Sequence, residues 1–388
     1  MSIPVVQLLS CFSQTIPLAA VQSALAKTGK GEQRRRALPA ALVVQLVICL
    51  GLVADAASRQ VLAHLWPHGV ALPTRKSICH ARYRLGPRPL IELFRALARP
   101  LATRRSLPQA FHRGLRLVAL DATVADLPDT PDNEKIFGRR ATPRGRAAFP
   151  QAKLITLLEV GTHAIFDLLV RPHRRHELPP ALILVRRSVR RGMLLLWDRG
   201  FYSFVLLQTI LARGAQFVGR AKQSVILEPV RRLADGSYLA EVYPTQYARH
   251  LRRGALPVRV VEYRVGEQGE TIRLVTSLLD PKLDPAPTLA ALYHQRWEIE
   301  LVFDEFKTHQ LGRPNGQAVA IRAHGPSAVV QEIYGLALAH RVVRTLMAAA
   351  AAREGIDADR LSFKNALVIV RRHLPELAAA GRRRLPPL

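Results

Sequence analysis

TLAALYHQRWEIELVFDEFKTHQ, residues 288–310, decides how the rest of the chain is read. Its residues recur at helical spacing, which predicts one helix over the whole stretch. On a wheel of ~100° per residue with Tyr293 at zero, Arg296 falls at about −60°, Glu300 at about −20° and Lys307 at about −40°. These polar side chains, spread over several turns, share an arc of roughly 60°. Leu292, Ile299, Phe303 and Phe306 gather on a neighbouring arc, the one a core would cover. One face packs, and the next presents an acid flanked by a phenol and two cations. The bland alternative is a solvated amphipathic face, but such a face mixes its charges without aligning them. A carboxylate among cations suits a divalent metal that also touches phosphate, with the cations gripping neighbouring phosphates. Such a site needs partner carboxylates from elsewhere in the chain.

The chain has 388 residues, enough for two or three domains. Its 57 Lys and Arg against 29 Asp and Glu leave a net charge of +28, with a sequence pI near 11.3. That balance fits a polyanionic partner, nucleic acid first and a membrane surface second. No apolar run reaches the ~20 residues that span a bilayer. The longest candidate, 38–57, contains Gln45 and Asp55 and reads as a buried helix. The first 20 residues lack the basic start and clean apolar block of a secretory signal. Cys11, Cys49 and Cys79 are scattered and without metal spacing, so reduced thiols and a cytoplasmic setting are expected.

Residues 1–110 read as a helical domain, with apolar periodicity in 5–16, 38–66 and 89–101. Two basic connections, KTGKGEQRRR (27–36) and PTRKSICHARYRLG (73–86), suit contacts to DNA phosphate. A solubilising basic surface is the equal alternative, and no recognition helix stands out. From Gly114 the texture changes. LRLVALDAT (115–123) reads as a buried strand ending in Asp121, and GMLLLWDRG (192–200) as another ending in Asp198. Between them, AKLITLLEV (152–160) and AIFDLLV (164–170) suggest a hairpin, and 180–190 a short helix. A helix over 202–215 and a strand over 217–222 follow. Residues 223–280 carry β pattern and turns, and 280–287 a linker into the helix of the opening. Then come GRPNGQ (312–317), a helical stretch over 334–353 and a basic tail. The expected division is 1–110, 111–222, 223–285, 286–340 and 341–388.

Asp121, Asp198 and Glu300 lie 198 − 121 = 77 and 300 − 198 = 102 residues apart. Strand ends in an α/β sheet are where ligands and catalytic groups cluster. Three carboxylates converging there hold two divalent ions about 4 Å apart, one to activate an attacking oxygen and one for the leaving oxygen. Oxygen ligands with waters left in the shell favour Mg²⁺, with Mn²⁺ as a substitute. Isolated acids after strands are common, so Asp121 and Asp198 without the helix do not define a site.

Tyr293-x₂-Arg296-x₃-Glu300-x₆-Lys307 resembles, at every spacing, the Y-(2)-R-(3)-E-(6)-K signature of DDE transposases of bacterial insertion sequences, in the insertion-sequence-four family. LDAT around Asp121 is similar to that family's first acid block, and WDRGFYS around Asp198 to its second. GKGEQRRRALPAALVVQLVICLGL (29–52) resembles its amino-terminal domain. The likeness covers all but the last 50 or so residues. It implies an α/β fold: a ribonuclease H-like catalytic core with a β-rich insertion, plus the N-terminal helical domain. It makes Asp121, Asp198 and Glu300 the metal-binding triad. Tyr293, Arg296 and Lys307 would contact phosphates near the cleaved end, and Arg199 would add a contact or be merely solvated. A cytoplasmic, nucleoid-associated bacterial enzyme is implied. Its partners would be double-stranded DNA, namely terminal inverted repeats and target DNA, with a homodimer in the synaptic complex and no membrane.

Other acids have blander readings. Asp126, Asp129 and Asp132 read as turn formers. Asp304 lies about 40° from Glu300 and is a candidate to orient a metal-binding side chain without touching the metal itself, whereas Asp167 is expected to face solvent. His173, His176 and Glu177 sit among arginines and read as a basic DNA-facing loop more than a metal site. Trp297, beside the active face, either stacks on a base or packs. Two other functions stay open: a metal-dependent nuclease without strand transfer, and an inactive DNA-binding inhibitor.

Overall fold

The computed structural model describes residues 13–34, 36–53, 56–67, 69–142, 145–264, 270–310 and 321–376. GRPNGQ at 312–317 and the tail beyond 376 lie outside them.

Five helices open the described chain: α1 (Leu18–Lys27), α2 (Ala40–Leu52), α3 (Ser58–Leu65), α4 (Arg75–Leu85) and α5 (Arg88–Leu97). Helix α4 corrects the reading of 73–86 as a connection. The Thr74 side chain caps it by accepting from the Ser77 amide. Ile78, Ala81 and Leu85 bury one stripe, so the basic residues decorate a true helix. Helix α2 is apolar all round and almost wholly buried.

A ten-stranded sheet follows. Its main strands are β1 (Leu115–Asp126), β2 (Gln151–Glu159), β3 (Ala164–Pro172), β4 (Met193–Trp197), β5 (Gln216–Arg220), β6 (Tyr238–Val242), β7 (Leu256–Arg264) and β8 (Thr271–Thr276). Their order is β3-β2-β1-β4-β5-β8-β7-β6. Strands β1, β4 and β5 run parallel, and β2 and β3 meander antiparallel on one side. This is the ribonuclease H-like arrangement. The β-rich stretch extends the same sheet, because β8 pairs antiparallel with β5. Helices α6 (Leu178–Ser188) and α7 (Phe204–Ala212) return the chain between parallel strands. Within the β-patterned stretch 223–280, residues 224–233 contribute only the short strand Arg231–Arg232, and a short helix, Gln246–His250, interrupts the strands.

The long helix α10 (Pro326–Glu354) and α11 (Phe363–Arg372) close the described chain. Val118, Leu120, Leu195 and Trp197 pack on the side of α6 and α7. Leu117, Ala119, Leu194 and Leu196 pack on the other side, in a core shared with α2, α10 and the 286–310 stretch. With both faces covered, the strands read as continuous apolar runs. No helix among the described residues is long and apolar enough to cross a membrane.

Asp167 is a correction. It lies in β3 but is 3% exposed, because α6 covers that strand and brings Arg187 and Ser188 onto its carboxylate.

Candidate active site

Strand register brings the two aspartates together. In the parallel β1–β4 ladder, Leu120 lies opposite Trp197, so Asp121 and Asp198 are the next residues in adjacent strands. Asp198 keeps an extended backbone (φ −86°, ψ 163°), so the alternation of faces carries through it. Both acids therefore follow Leu117, Ala119, Leu194 and Leu196 onto the face that carries the 286–310 stretch. Strand β1 itself continues to Asp126 against β2, so Asp121 marks where the parallel partner ends, not where the strand ends. Trp197 lies over Gly219 in β5, where a Cβ would fall 2.0 Å from its ring, so only glycine fits there. The same ladder, Trp197 opposite Gly219, sets Arg220 beside Asp198.

The expected single helix is a continuous helical path of changing pitch: α8 (Ala286–His294), a 3₁₀ turn (Gln295–Trp297), α9 (Glu298–Asp304) and a π turn (Glu305–Gln310). Its packing face is the expected one. Leu292, Ile299, Phe303 and Phe306 are all buried, each contributing roughly 1.5–3 kcal/mol. Its polar face meets the aspartates. Arg296, 8% exposed, sets Nη1 3.4 Å from Asp121 Oδ2 and Nη2 3.9 Å from Glu300 Oε1. The Tyr293 hydroxyl lies 3.4 Å from Asp198 Oδ1. Lys307 Nζ donates to the Thr123 hydroxyl, two residues along β1 from Asp121. The Glu300 side chain stays 52% exposed.

Tyr293 thus reaches Asp198, Arg296 spans Asp121 and Glu300, and Lys307 reaches β1 beside Asp121, while the Asp121, Asp198 and Glu300 carboxylates do not all come within 4.8 Å of one another. Burial pushes the Asp121 carboxyl up to about 6; the Asp198 charge adds to the rise, while the Ala122 amide and Arg296 oppose it. Burial likewise pushes the Tyr293 phenol up, so it stays protonated and can donate.

Arg199 stands apart. Its exposed guanidinium lies 3.6 Å from Glu270, which also pairs with Arg220 at 2.6 Å. Thr123, Arg220 and Glu270 were not singled out in the sequence. Arg220 carried a readable signal, a charge at the end of a short apolar strand, whereas Glu270 lies in a turn-rich stretch with none.

The other acids divide as follows. Asp126 accepts from Gln151, Asp129 pairs with Arg139, and Asp132 sits in the first turn of the short helix Pro131–Phe137. Asp304 borders a cavity behind the helix with His163 and Asp359, away from Asp121 and Asp198. In the basic loop, Glu177 pairs with Lys153 at 3.1 Å. Trp297 is 54% exposed, near His294, so it does not pack into the core.

The family described as Transposase DDE domain matches residues 112–341, and Insertion element 4 transposase N-terminal matches residues 6–95. Transposase InsG for insertion sequence element IS4 of Escherichia coli (strain K12) is 27% identical over 379 residues, covering 95% of this chain and 83% of its own. Putative transposase InsZ of the same organism is 29% identical over 204 residues, covering 52% of this chain and 68% of its own. Among solved structures, the piggyBac transposase synaptic complex with hairpin DNA is similar in fold. It has a TM-score of 0.52 at 12% identity, covering 98% of this chain and 82% of that one. With the DDE domain spanning more than half of its length and the insertion-element N-terminal domain ahead of it, the chain belongs to the DDE transposases of the IS4 group.

Proposed function

We propose that this transposase cleaves the ends of its insertion sequence and joins the 3′ ends to target DNA by metal-dependent phosphoryl transfer. The observation that carries the reading is the adjacency of Asp121 and Asp198 across one parallel ladder, with Arg296 reaching from Asp121 to Glu300.

The residues fit divalent cations. All three acids offer hard oxygen donors: Asp121 and Asp198 lie in adjacent strands, Asp121 keeps Oδ2 in only a 3.4 Å contact with Arg296 while its Oδ1 accepts from the Ala122 amide, and the half-exposed Glu300 leaves room for water ligands. Asp121, Asp198 and Glu300 would hold two Mg²⁺, with Mn²⁺ as a substitute. Cations bound there supply Lewis-acid activation of the attacking oxygen and neutralise charge on the leaving oxygen. The chain's own groups do the rest. Arg296 and Lys307 neutralise phosphates beside the scissile bond, and the protonated Tyr293 hydroxyl donates to a phosphate oxygen. Arg199 contributes a further phosphate contact once DNA competes with Glu270 for its guanidinium.

The partner is double-stranded DNA, first the terminal inverted repeats and then the target, consistent with the charge of +28. Two copies of the chain synapse the two ends as a homodimer, and the protein acts at the nucleoid in the cytoplasm. Glu300→Gln should keep its affinity for end DNA and lose Mg²⁺-dependent cleavage; retained cleavage refutes the assignment. Pre-cut ends offered with target DNA give joined product from a transposase and none from a plain nuclease.

A further inference from the structure

The two basic segments of the N-terminal region, distant in sequence, meet in the fold. Lys30 Nζ, from the loop after α1, donates to the Arg84 carbonyl at the end of α4 at 2.8 Å. Arg84 Nη2 donates to the Leu38 carbonyl and closes that loop against the helix. Arg34, Arg36 and Arg84 are crowded as a result. Burial first, then the charges of Arg36 and Arg34, hold the Arg84 guanidinium below its ordinary value, with Glu32 opposing them.

Helix α4 buries Ile78, Ala81 and Leu85 and is pinned from behind by α10. There Gln331 accepts from Arg82 Nε and donates to the Arg82 and Gly86 carbonyls. Its other face is bare: Arg75, Lys76, Cys79, His80 and Tyr83 are exposed. Arg75, Lys76 and His80 pair with no acid among the described residues. Arg75 and Tyr83 also line a cleft of about 840 Å³ with Arg59 of α3, His324, Pro128 and Asp129. Asp129, the acid there, is taken by Arg139.

We propose that α4 reads base edges in the major groove of the terminal repeat, with Arg34 on one flank and Arg59 and His324 on the other holding the two phosphate backbones. The proposal rests on the reading of the substrate as insertion-sequence ends.

The angles around α4 support it. With Arg75 at zero, the cleft side runs from about −20° (Arg82) to about 80° (Tyr83), and the loop side from about 180° (Arg84) to about 240° (Ala81). Lys76 and His80, at about 100° and 140°, stand between the two sides. A major groove ~12 Å wide admits a helix, and its two edges are phosphate backbones. Cations on both sides of the exposed face then meet one backbone each, and the helix ahead of the reader, here α3 with Arg59, crosses a backbone. Arg75 and Lys76 suit guanine O6 and N7, and His80 donates to the same acceptors. The exposed face holds no aliphatic side chain, so a bilayer surface would gain no apolar burial there.

Strand β1 ties this face to the acids. It carries Asp121 and leaves the sheet toward the cleft, and the path from Asp121 to Pro128, at ~3.3 Å per residue, is at most ~23 Å. With the cleft between, α4 stands about one turn of duplex (~34 Å) or less from the acids.

The test uses the native full chain in EDTA, which withholds the cations that cleavage needs. The probe is a duplex pool randomised over two helical turns beside one fixed end. Repeated binding and sequencing should enrich one motif. Lys76→Ala and His80→Ala, at exposed positions, should each lose preference by about tenfold at a few adjacent base pairs of that motif. Arg34→Ala should keep the motif and weaken every duplex alike, with a shallower salt dependence. Replacing the motif's guanines by 7-deazaguanine removes N7 from the major groove without altering the protein, and should weaken binding by the native chain about tenfold. A motif that Lys76→Ala and His80→Ala both enrich unchanged overturns the proposal and leaves α4 a solvated basic face. A native chain that enriches no motif overturns it too. Cleavage on adding Mg²⁺ is scored separately, so failure of base reading and failure of the transposase chemistry are told apart.

Discussion

Two acids of the same chemical type do opposite work here, and burial separates them. Asp167 is closed in β3, taking the Arg187 guanidinium (Nε at 2.9 Å) and the Ser188 hydroxyl. Removing it as Asp167→Ala takes the acceptor from the partly exposed Arg187 and from Ser188, so urea unfolding should show a loss of about 1–3 kcal/mol. Glu300, with its side chain half exposed, holds no such burden. Glu300→Gln should change stability by no more than about 0.5 kcal/mol while removing cleavage. The sequence disclosed the two candidate aspartates, Asp121 and Asp198, because each follows an apolar run, and register alone then makes them neighbours. It misled on Asp167 because a strand covered on both faces loses the two-residue alternation that separates inside from outside. Side-chain direction was equally hidden at Arg199, whose partner Glu270 comes from a turn over 70 residues away.

The 286–310 helix was legible in extent and in its packing face, but not in its pitch. An angle of ~100° per residue holds only while the helix is α-helical. The 3₁₀ turn at Gln295–Trp297 overwinds the path and the π turn at Glu305–Gln310 unwinds it, and no residue type announces either. What holds the π turn is tertiary: Glu305 accepts from Arg344 and lies 3.1 Å from His340 Nε2. Burial works to raise the Glu305 carboxyl, but hydrogen bonds from His163 and His340 and the Arg344 charge hold it well below its ordinary value of 4.5. A depressed carboxyl contributes stability that is present above its unfolded value and lost as pH falls toward the folded one. The stability advantage of the native chain over Glu305→Gln should therefore hold from neutral pH down to about 4.5 and shrink below it, as chemical denaturation across pH would show. Because Lys307 sits in this turn, Glu305→Gln should also weaken end-DNA cleavage more than end-DNA binding.

At the scale of the molecule, α10 is the common wall. It donates from Tyr334 to the Leu168 carbonyl in β3 and accepts at the Leu336 carbonyl from Gln310 of the 286–310 helix. It also pairs Gln331 with Arg82 of α4. Against α2 the two backbones nearly touch: a Cβ at Gly335 would fall 2.6 Å from Val47 Cγ1 and 2.8 Å from its carbonyl. Gly335→Ala should cost about 1–3 kcal/mol, read from the shift in urea midpoint. A chain beginning after residue 110 would bare the α10 surface that α2 covers, and it should lose cooperative thermal unfolding by circular dichroism. The opening stretch was legible as helical, apart from α4, which read as a connection, yet not as a cover for this wall, because long-range packing leaves no periodic trace in the local sequence. One further property follows from where the indoles lie. Of the three tryptophans, Trp66 and Trp197 are enclosed, and only Trp297 is open to water, on the very helix that carries Glu300. Iodide should therefore dim chiefly that one fluorophore, and a duplex seated over the acids should shield it, giving the enzyme a native optical gauge of substrate occupancy without any attached dye.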